Sequence, residues 1–510
     1  MIIVPDGKDF AQVFAAQKLL ETIKNDQPTA IVYRTVKGWK YGIEGRASHG
    51  AGHKFCSEGY YAAIKEAEDA TGIQFPKFNG DQSANNVEKY YFDTLLTIRK
   101  MLESNKASAT FLAGKINEAN NRLKKLSRAK RSDAPNSEVI YDKKKFSTTS
   151  VPDSLALKIG DSTTLRGVLG DVLNFYNKAS GGAIFSASAD LLGSTSVNNI
   201  YKGFAEGFYH SSARPAARAL SIGGICEDAI GGIMSGVSAY GKHIGVGSSY
   251  AAFIAALQHI TMRLHGIGQQ ARCETFGGDY HPFICICAHT GLKTGEDGPT
   301  HADPQALQIV QENFPSEVMI TLTPWDPQEI WPLMTASLQA RPAVIVPFVT
   351  RPNEKILDRA KYNMPPANTA MKGVYALRKA DASKKCDGTI VLQESGVTYT
   401  FVEEVLPKLD KDGLNINVFY VASAELFDML PEAEQLQIFQ ENLRSNAIGI
   451  TGFTLPTLYR FITSERGRKS SLHPFMKGHY MGSGQAHKVL EEAGLDGETQ
   501  YKTIKKYFGK

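Results

Sequence analysis

The chain opens on an apolar run, IIVPDGKDF, continues into AQVFAAQKLLETIKN, whose apolar positions fall three and four apart, and then reaches TAIVYRT. This order predicts strand, helix and strand within residues 1–35, a β–α–β rhythm already in progress at the first residue. Parallel strands need helices and neighbouring strands on both faces. The first domain therefore reads as incomplete, with the rest expected to be missing or to lie in another chain. Residues 84–130 predict helices, with ANNVEKYYFDTLLTIRKMLESN and FLAGKINEANNRLKKLSRAK again spacing apolar positions at three and four. After a polar stretch, four short apolar runs (GAIFSAS, FICICAH, VMITLT and AVIVPFVT) alternate with helical stretches such as YAAFIAALQHITMRLHGI. That alternation predicts a parallel sheet with helices on both faces. Beyond MPPANTA the same style returns in GTIVLQES, a helical EEVLPKLDKDG, NINVFYVAS and AIGITG. The expected fold is α/β, with three domains of mainly parallel sheets flanked by helices. Their bounds are 1–130, a linker at 131–155, 156–355 and 356–510.

Composition agrees with several domains, since 510 residues are too many for one hydrophobic core. Hydrophobic residues at 42% and charged residues at 21% describe an ordinary globular protein. A net charge of +5, from 57 basic and 52 acidic residues, is too small to imply a nucleic-acid partner, although it suits anionic small substrates. The basic run Lys124, Lys125, Arg128, Lys130 and Arg131 reads either as a nucleic-acid or membrane patch or as a solvated linker. No aromatic residue interleaves it and a polar segment follows, which favours the linker. The six cysteines show no CxxC spacing, and Cys285 and Cys287 alternate along one strand as buried, reduced thiols. No apolar run approaches the ~20 residues of a membrane helix and no signal-peptide pattern is present, so no membrane partner is expected and the cytoplasm is the default.

Candidate chemistry gathers in HTGLKTGEDGPTHADP, residues 289–304, directly after the strand FICICA. His289, Asp297 and His301 stand close together at the end of an apolar strand, where open α/β sheets place ligand-binding groups. An active site is expected there.

GEDGPTH at 295–301 is the most specific motif of the chain, and it is joined by GGICEDAIGGIMSGVSAYG at 223–241 and SADLLGS at 188–194. YRTVKGW with SHG at 48–50 and MGSGQAHKVLEEAGL at 481–495 extend the pattern to both ends. Together these segments resemble transketolase, a thiamine-diphosphate enzyme. The resemblance makes 1–130 the C-terminal remnant of a diphosphate-binding domain with a helical extension, 156–355 a pyrimidine-binding domain, and 356–510 the family's C-terminal domain.

The resemblance also implies roles. Glu227 matches the glutamate that hydrogen-bonds the cofactor's aminopyrimidine, with Ile225 and Ile230 expected as its apolar surroundings. Outside the motif, a carboxylate there would read as a helix N-terminal residue answering the dipole. Tyr250 and Phe253, one helical turn apart, match an aromatic wall for the pyrimidine ring, with core packing the other reading of Phe253. Ala256 stands where relatives carry a third aromatic residue. His49 and His301 match histidines near the cofactor, and His289 one near the substrate. All three are suited to proton transfer by an imidazole pKa near neutrality. Asp297 matches the contact to the donor's C2 hydroxyl, and Asp190 a residue that approaches the cofactor across the subunit interface. Arg166, Ser194 and Arg351 match a phosphate clamp, although a lone arginine in PFVTRP would otherwise read as a surface ion pair, and Leu169 stands where relatives tend to have serine.

One family motif has no counterpart. The diphosphate is held in the family through Mg²⁺ or Ca²⁺ by GDG and a downstream asparagine, oxygen ligands that such cations prefer. NGDQSANN at 79–86 places its asparagines too soon, and CDGT at 386–389 lies in the wrong domain. No metal ligand is therefore assigned in this chain, and the ligands are expected from the missing segment or a partner. The resemblance implies a transketolase-like subunit that transfers a two-carbon ketol unit between phosphorylated ketose and aldose sugars. It is expected to be a homodimer and to be inactive without the missing segment, being either one half of a split enzyme with a separate N-terminal subunit as a further partner or a truncated product. The alternative is a non-catalytic assembly or regulatory protein. A relative acting on 2-oxo acids is weaker, since the arginine pair would then lack a phosphate.

Overall fold

The computed structural model describes residues 1–25, 27–45, 52–129, 131–221, 223–294 and 296–509. The chain divides into two compact units, Met1–Lys130 and Arg131–Lys510.

In the first unit, β1 (Ile2–Val4) and β2 (Ile31–Tyr33) pair in parallel, with Ile3 opposite Val32. The crossover between them is the helix Phe10–Thr22, whose start is fixed by the Asp9 carboxylate accepting from the amides of Ala11 and Gln12. Three further helices follow, Glu58–Thr71, Ala84–Ser104 and Lys106–Lys125. Helix Ala84–Ser104 buries Tyr90, Thr94 and Met101, while Tyr91, Leu95 and Leu102 on another face stay exposed.

The second unit begins its regular structure at β3 (Ser162–Thr164). Seven strands then form one sheet: β4 (Ile184–Ser188), β5 (Ala205–Phe208), β6 (Ala217–Ala219), β7 (Ile244–Ser249), β8 (Phe283–Cys287), β9 (Met319–Leu322) and β10 (Val344–Pro347). Their order is β5-β6-β4-β7-β8-β10-β9 and every pairing is parallel. Such strands are buried on both faces. On one face the helices Leu165–Ala179 and Ile330–Ala340 pack, with Trp331 stacked on Tyr176 at 5.4 Å. The helices Glu227–Ala239 and His259–Phe276 cover the other face, contributing Ile230, Met234 and Met262 to a core with Phe283 and Cys285.

Between β4 and β7 the strand order reverses direction, which opens a crevice at the carboxyl ends of these strands. The segments that follow β4, β7 and β8 all leave the sheet at that edge.

A short β11 (Asn353–Lys355) pairs antiparallel with β3 and leads into the last layer. There β12 (Val374–Arg378), β13 (Gly388–Gln393), β14 (Ile416–Val421) and β15 (Ala447–Thr451) form a sheet of order β12-β14-β13-β15, with only β12 antiparallel. A buried ionic network joins this layer to the larger sheet. Arg359 Nε donates to Asp326 Oδ2 at 2.8 Å, its Nη2 to Glu329 Oε1 at 2.7 Å, and Trp325 Nε1 to the Tyr375 hydroxyl at 2.8 Å.

The apolar runs read as strands became β4, β8, β9, β10, β13, β14 and β15. Strand β7, IGVGSS, was not among them, because glycine and serine give neither an apolar run nor an alternation. Packing explains its composition: a Cβ on Gly245 would lie 2.0 Å from the Met234 carbonyl oxygen, so helix Glu227–Ala239 rests directly on the strand backbone. The helix expected from YAAFIAALQHITMRLHGI is interrupted by a widened π turn at Ile254–Gln258, a feature common beside functional sites.

Candidate active site

The four side chains of the cluster come from three segments of the chain. Arg166 is the second residue of helix Leu165–Ala179, started by Thr164 accepting from the Gly167 amide. His289 follows β8, Asp297 lies in the loop beyond it, and Arg351 follows β10. These four residues meet. Arg166 Nη1 lies 3.0 Å from His289 Nε2, His289 Nδ1 lies 2.8 Å from Asp297 Oδ2, and Arg351 Nη1 donates to Asp297 Oδ1 at 2.8 Å. Arg166 also donates to the Ser194 carbonyl, so it is the backbone of Ser194, rather than its hydroxyl, that meets the guanidinium. The Nε of Arg166 is buried without an acceptor.

A guanidinium only donates, so His289 Nε2 is the acceptor of this contact and the ring proton sits on Nδ1, facing Asp297. The 2.8 Å approach to Oδ2 departs from the alignment a good hydrogen bond requires, which leaves a close charge–dipole contact. Burial pushes the His289 imidazole down to about 4, Arg166 and Arg351 act in the same direction, and Asp297 opposes them. His289 is therefore neutral at physiological pH. Burial, with Arg351 nearby, also lowers the pKa of Arg166 from its ordinary value.

Beside this cluster lies an aromatic one. Tyr250, at the end of β7, stacks on the His289 ring at 3.8 Å, and its ring centroid lies 5.2 Å from that of His301. Phe253 packs edge-on against His301 at 5.5 Å, and Thr300 Oγ1 lies 2.8 Å from His301 Nδ1. Phe253 is only partly buried.

Glu227 opens helix Glu227–Ala239 and is 2% exposed. Ser249 Oγ, the last residue of β7, donates to its Oε1 at 2.9 Å. Gln258 Nε2 donates to its backbone carbonyl at 3.2 Å, and the Cys285 thiol in turn donates to Gln258 Oε1 at 2.7 Å. Of the two expected apolar neighbours, Ile230 is buried but Ile225 is 79% exposed, because it precedes the helix on the open side of the crevice. Asp190, in a left-handed turn after β4 (φ 57°), lines a cavity of about 540 Å³ with Ser188, Gly223, Gly224 and Ile225. It is not in contact with the arginine–histidine cluster. Leu169 belongs to the hydrophobic core. His49 and the side chain of Ala256 lie outside the described residues.

Sequence reasoning passed over Ser249, Gln258, Lys293 and Glu354. Ser249 and Gln258 hold Glu227 through contacts that no local spacing reveals. Lys293 Nζ donates to the buried Glu354 Oε1 at 2.7 Å, a pair 61 residues apart in the chain.

Comparison with known proteins bears on the fold. Residues 161–353 match the family model for the transketolase pyrimidine-binding domain. Transketolase of Aquifex aeolicus is 24% identical over 294 residues, which is 58% of this chain and 38% of that protein. Transketolase of Streptococcus pyogenes is 23% identical over 470 residues, covering 88% of this chain and 53% of that protein. The chain thus spans well under two thirds of the length of these curated relatives. Among solved structures, transketolase from Leishmania mexicana superposes with a TM-score of 0.68 at 17% identity, covering 100% of this chain and 66% of that one. The Campylobacter jejuni enzyme gives 0.66 at 20% identity, covering 99% and 66%. Residues 161–353 are thus similar to the pyrimidine-binding domain of transketolases. The chain as a whole has the transketolase fold.

Proposed function

We propose that this chain is a subunit of a thiamine-diphosphate-dependent transketolase, moving a two-carbon ketol unit between a phosphorylated ketose and a phosphorylated aldose. The observation that carries the reading is the convergence of Arg166, His289, Asp297 and Arg351 beside Tyr250 and Glu227. Two guanidinium groups against one carboxylate leave a net positive site, suited to a phosphate.

The residues present fit the aminopyrimidine half of the cofactor: a buried carboxylate for the ring nitrogen, and Tyr250 with Phe253 for the ring face. When bound, thiamine diphosphate supplies an electron sink for a carbanion equivalent. Glu227, held by Ser249, orients the aminopyrimidine and shares a proton with it. Asp297 accepts from a hydroxyl of the bound sugar, His289 meets the substrate as a neutral ring rather than with the near-neutral pKa expected of it, and His301, with His49, carries protons at the sugar hydroxyls. Arg166 and Arg351 bind the terminal phosphate beside Ser194, and Asp190 approaches the cofactor from its subunit to the next. The GDG and downstream asparagine pattern has no counterpart in the sequence, so the Mg²⁺ or Ca²⁺ ligands are assigned to a missing segment or a partner polypeptide.

A homodimer is part of the reading: Ile260, Leu264 and Ile267, at helical spacing on His259–Phe276, are exposed and suit contact with a second copy. No described helix is long and apolar enough to cross a membrane, and a cytoplasmic location is proposed by likeness to the family. The other reading, a non-catalytic assembly or regulatory protein, is less well supported, because assembly alone gives no reason to keep four polar side chains converged on one crevice. The deciding experiment isolates the chain with its native partners and assays ketol transfer with added thiamine diphosphate and Mg²⁺. Turnover lost in Glu227→Gln supports the enzyme. A stable complex with no transfer from any phosphorylated ketose supports the non-catalytic reading.

A further inference from the structure

Between His289 and Asp297 the chain makes a short turn, Leu292–Thr294, and its Lys293 points away from the arginine–histidine cluster toward the last layer of the unit. Its ammonium meets both carboxylate oxygens of Glu354, on β11, and lies 5.2 Å from the centre of the Tyr399 ring. The Glu354 side chain is only 3% exposed, against 23% for Lys293. One turn of chain further on, Asp297 pairs with Arg351. The loop and the segment that leaves β10 are thus joined twice, with opposite polarity: cation to anion at 293 and 354, anion to cation at 297 and 351. A shift in register would set like charges together. Glu394, buried and at positive φ (91°), lies so close to Gly291 that any Cβ there would strike its carboxylate.

We infer that Lys293 and Glu354 are a positioning pair for the candidate site, stapling the 289–301 loop so that Asp297 stands between His289 and Arg351. The inference rests on the functional reading above for its consequence, though the staple itself is independent of it. Neither residue touches the cluster, so neither is catalytic. Ionisation of Glu354 governs the staple. Besides Lys293, the groups facing it are Glu394, Glu403 and Tyr399. Burial pushes the carboxyl up to about 7, Lys293 opposing and Glu394 and Glu403 reinforcing, so the staple is complete only once pH exceeds that value.

The test is hydrogen exchange of the full chain, followed peptide by peptide. In Glu354→Gln and in Lys293→Met, amides of 289–301 should exchange faster by about tenfold or more while those of β4, β7 and β8 are unchanged. Lys293→Arg should restore protection. In the wild type, protection of the loop, corrected for intrinsic rate, should rise as pH passes about 7, and this rise should vanish in Glu354→Gln. With the reconstituted enzyme, the same variants should raise KM for the phosphorylated ketose severalfold more than they lower kcat. Unchanged loop exchange in both variants overturns the staple, as does equal loosening of the whole unit, which marks a merely structural pair. Absence of turnover in the wild type strikes the functional reading alone, because the exchange result does not depend on it.

Discussion

Acidifying the protein titrates His289 far below the ordinary imidazole range, and the size of the effect follows from its surroundings. The ring is 1% exposed, stacked on Tyr250, and its Nε2 is engaged by a guanidinium. A proton there must enter a dry site beside Arg166 and Arg351, with only Asp297 in its favour. The drop from the ordinary 6.5 to about 4 corresponds to about 3 kcal/mol, at ~1.36 kcal/mol for each pH unit. The sign follows from linkage. The folded pKa is depressed, so the unfolded chain binds the proton more readily; the stability from keeping His289 neutral is complete above 6.5 and is lost as pH falls toward about 4. The assay is NMR of ¹⁵N-labelled histidine rings between pH 8 and pH 4, with His289→Gln assigning its signal among the twelve histidines. The expected result is a midpoint near 4 and, at neutral pH, the tautomer protonated on Nδ1. Asp297→Asn should lower the midpoint further, whereas Arg351→Ala should raise it. A midpoint at or above 6.5, or the Nε2-protonated tautomer, would refute the reasoning.

Further expectations can be checked separately. Glu227→Gln preserves shape and the Ser249 contact while replacing the ionisable carboxyl by an amide, so ketol transfer by the assembled enzyme should be abolished with the fold intact; turnover within about tenfold of the parent removes Glu227 from its role. Arg351→Ala should weaken phosphorylated acceptors by about 1.5–3 kcal/mol, the value of a charged hydrogen bond; equal loss with unphosphorylated acceptors takes it out of the clamp. The chain purified without partners should bind thiamine diphosphate weakly even with excess Mg²⁺, as read by titration calorimetry. Micromolar, Mg²⁺-dependent binding would place the diphosphate site within this chain.

Strands such as FICIC and VIVP were legible because both faces of a parallel sheet are apolar, which leaves an unmistakable run. β7 was illegible for the complementary reason: where a helix rests on the backbone, side chains are absent and hydropathy carries no signal. Within the site, the loop HTGLKTGEDGPTHADP drew attention to His289, Asp297 and His301, while Arg166 and Arg351 stood out only through family likeness. The convergence of Arg166 on His289 and of Arg351 on Asp297 is a product of topology, from segments after β3, β8 and β10. Lys293 and Glu354 were beyond reach, because a lysine in a polar loop and a glutamate on a short edge strand look like solvated residues until the fold buries them together.

The seating of helix Glu227–Ala239 on the bare backbone at Gly245 bears on how mutations in this protein are to be interpreted. The touching residue, Met234, lies seven residues along a stiff rod from Glu227, a lever arm of about 10 Å at ~1.5 Å per residue. A methyl group added at Gly245 cannot be absorbed by a flexible side chain, because the atom it meets is the Met234 carbonyl oxygen, so the rod itself must lift. Lifting it moves the Glu227 carboxylate away from Ser249. A screen for loss of activity would therefore score position 245 as severely as the carboxylate itself, although the glycine has no chemistry and borders no crevice. Tolerance in this protein is set by which residues the rod leans on as much as by which ones meet a ligand.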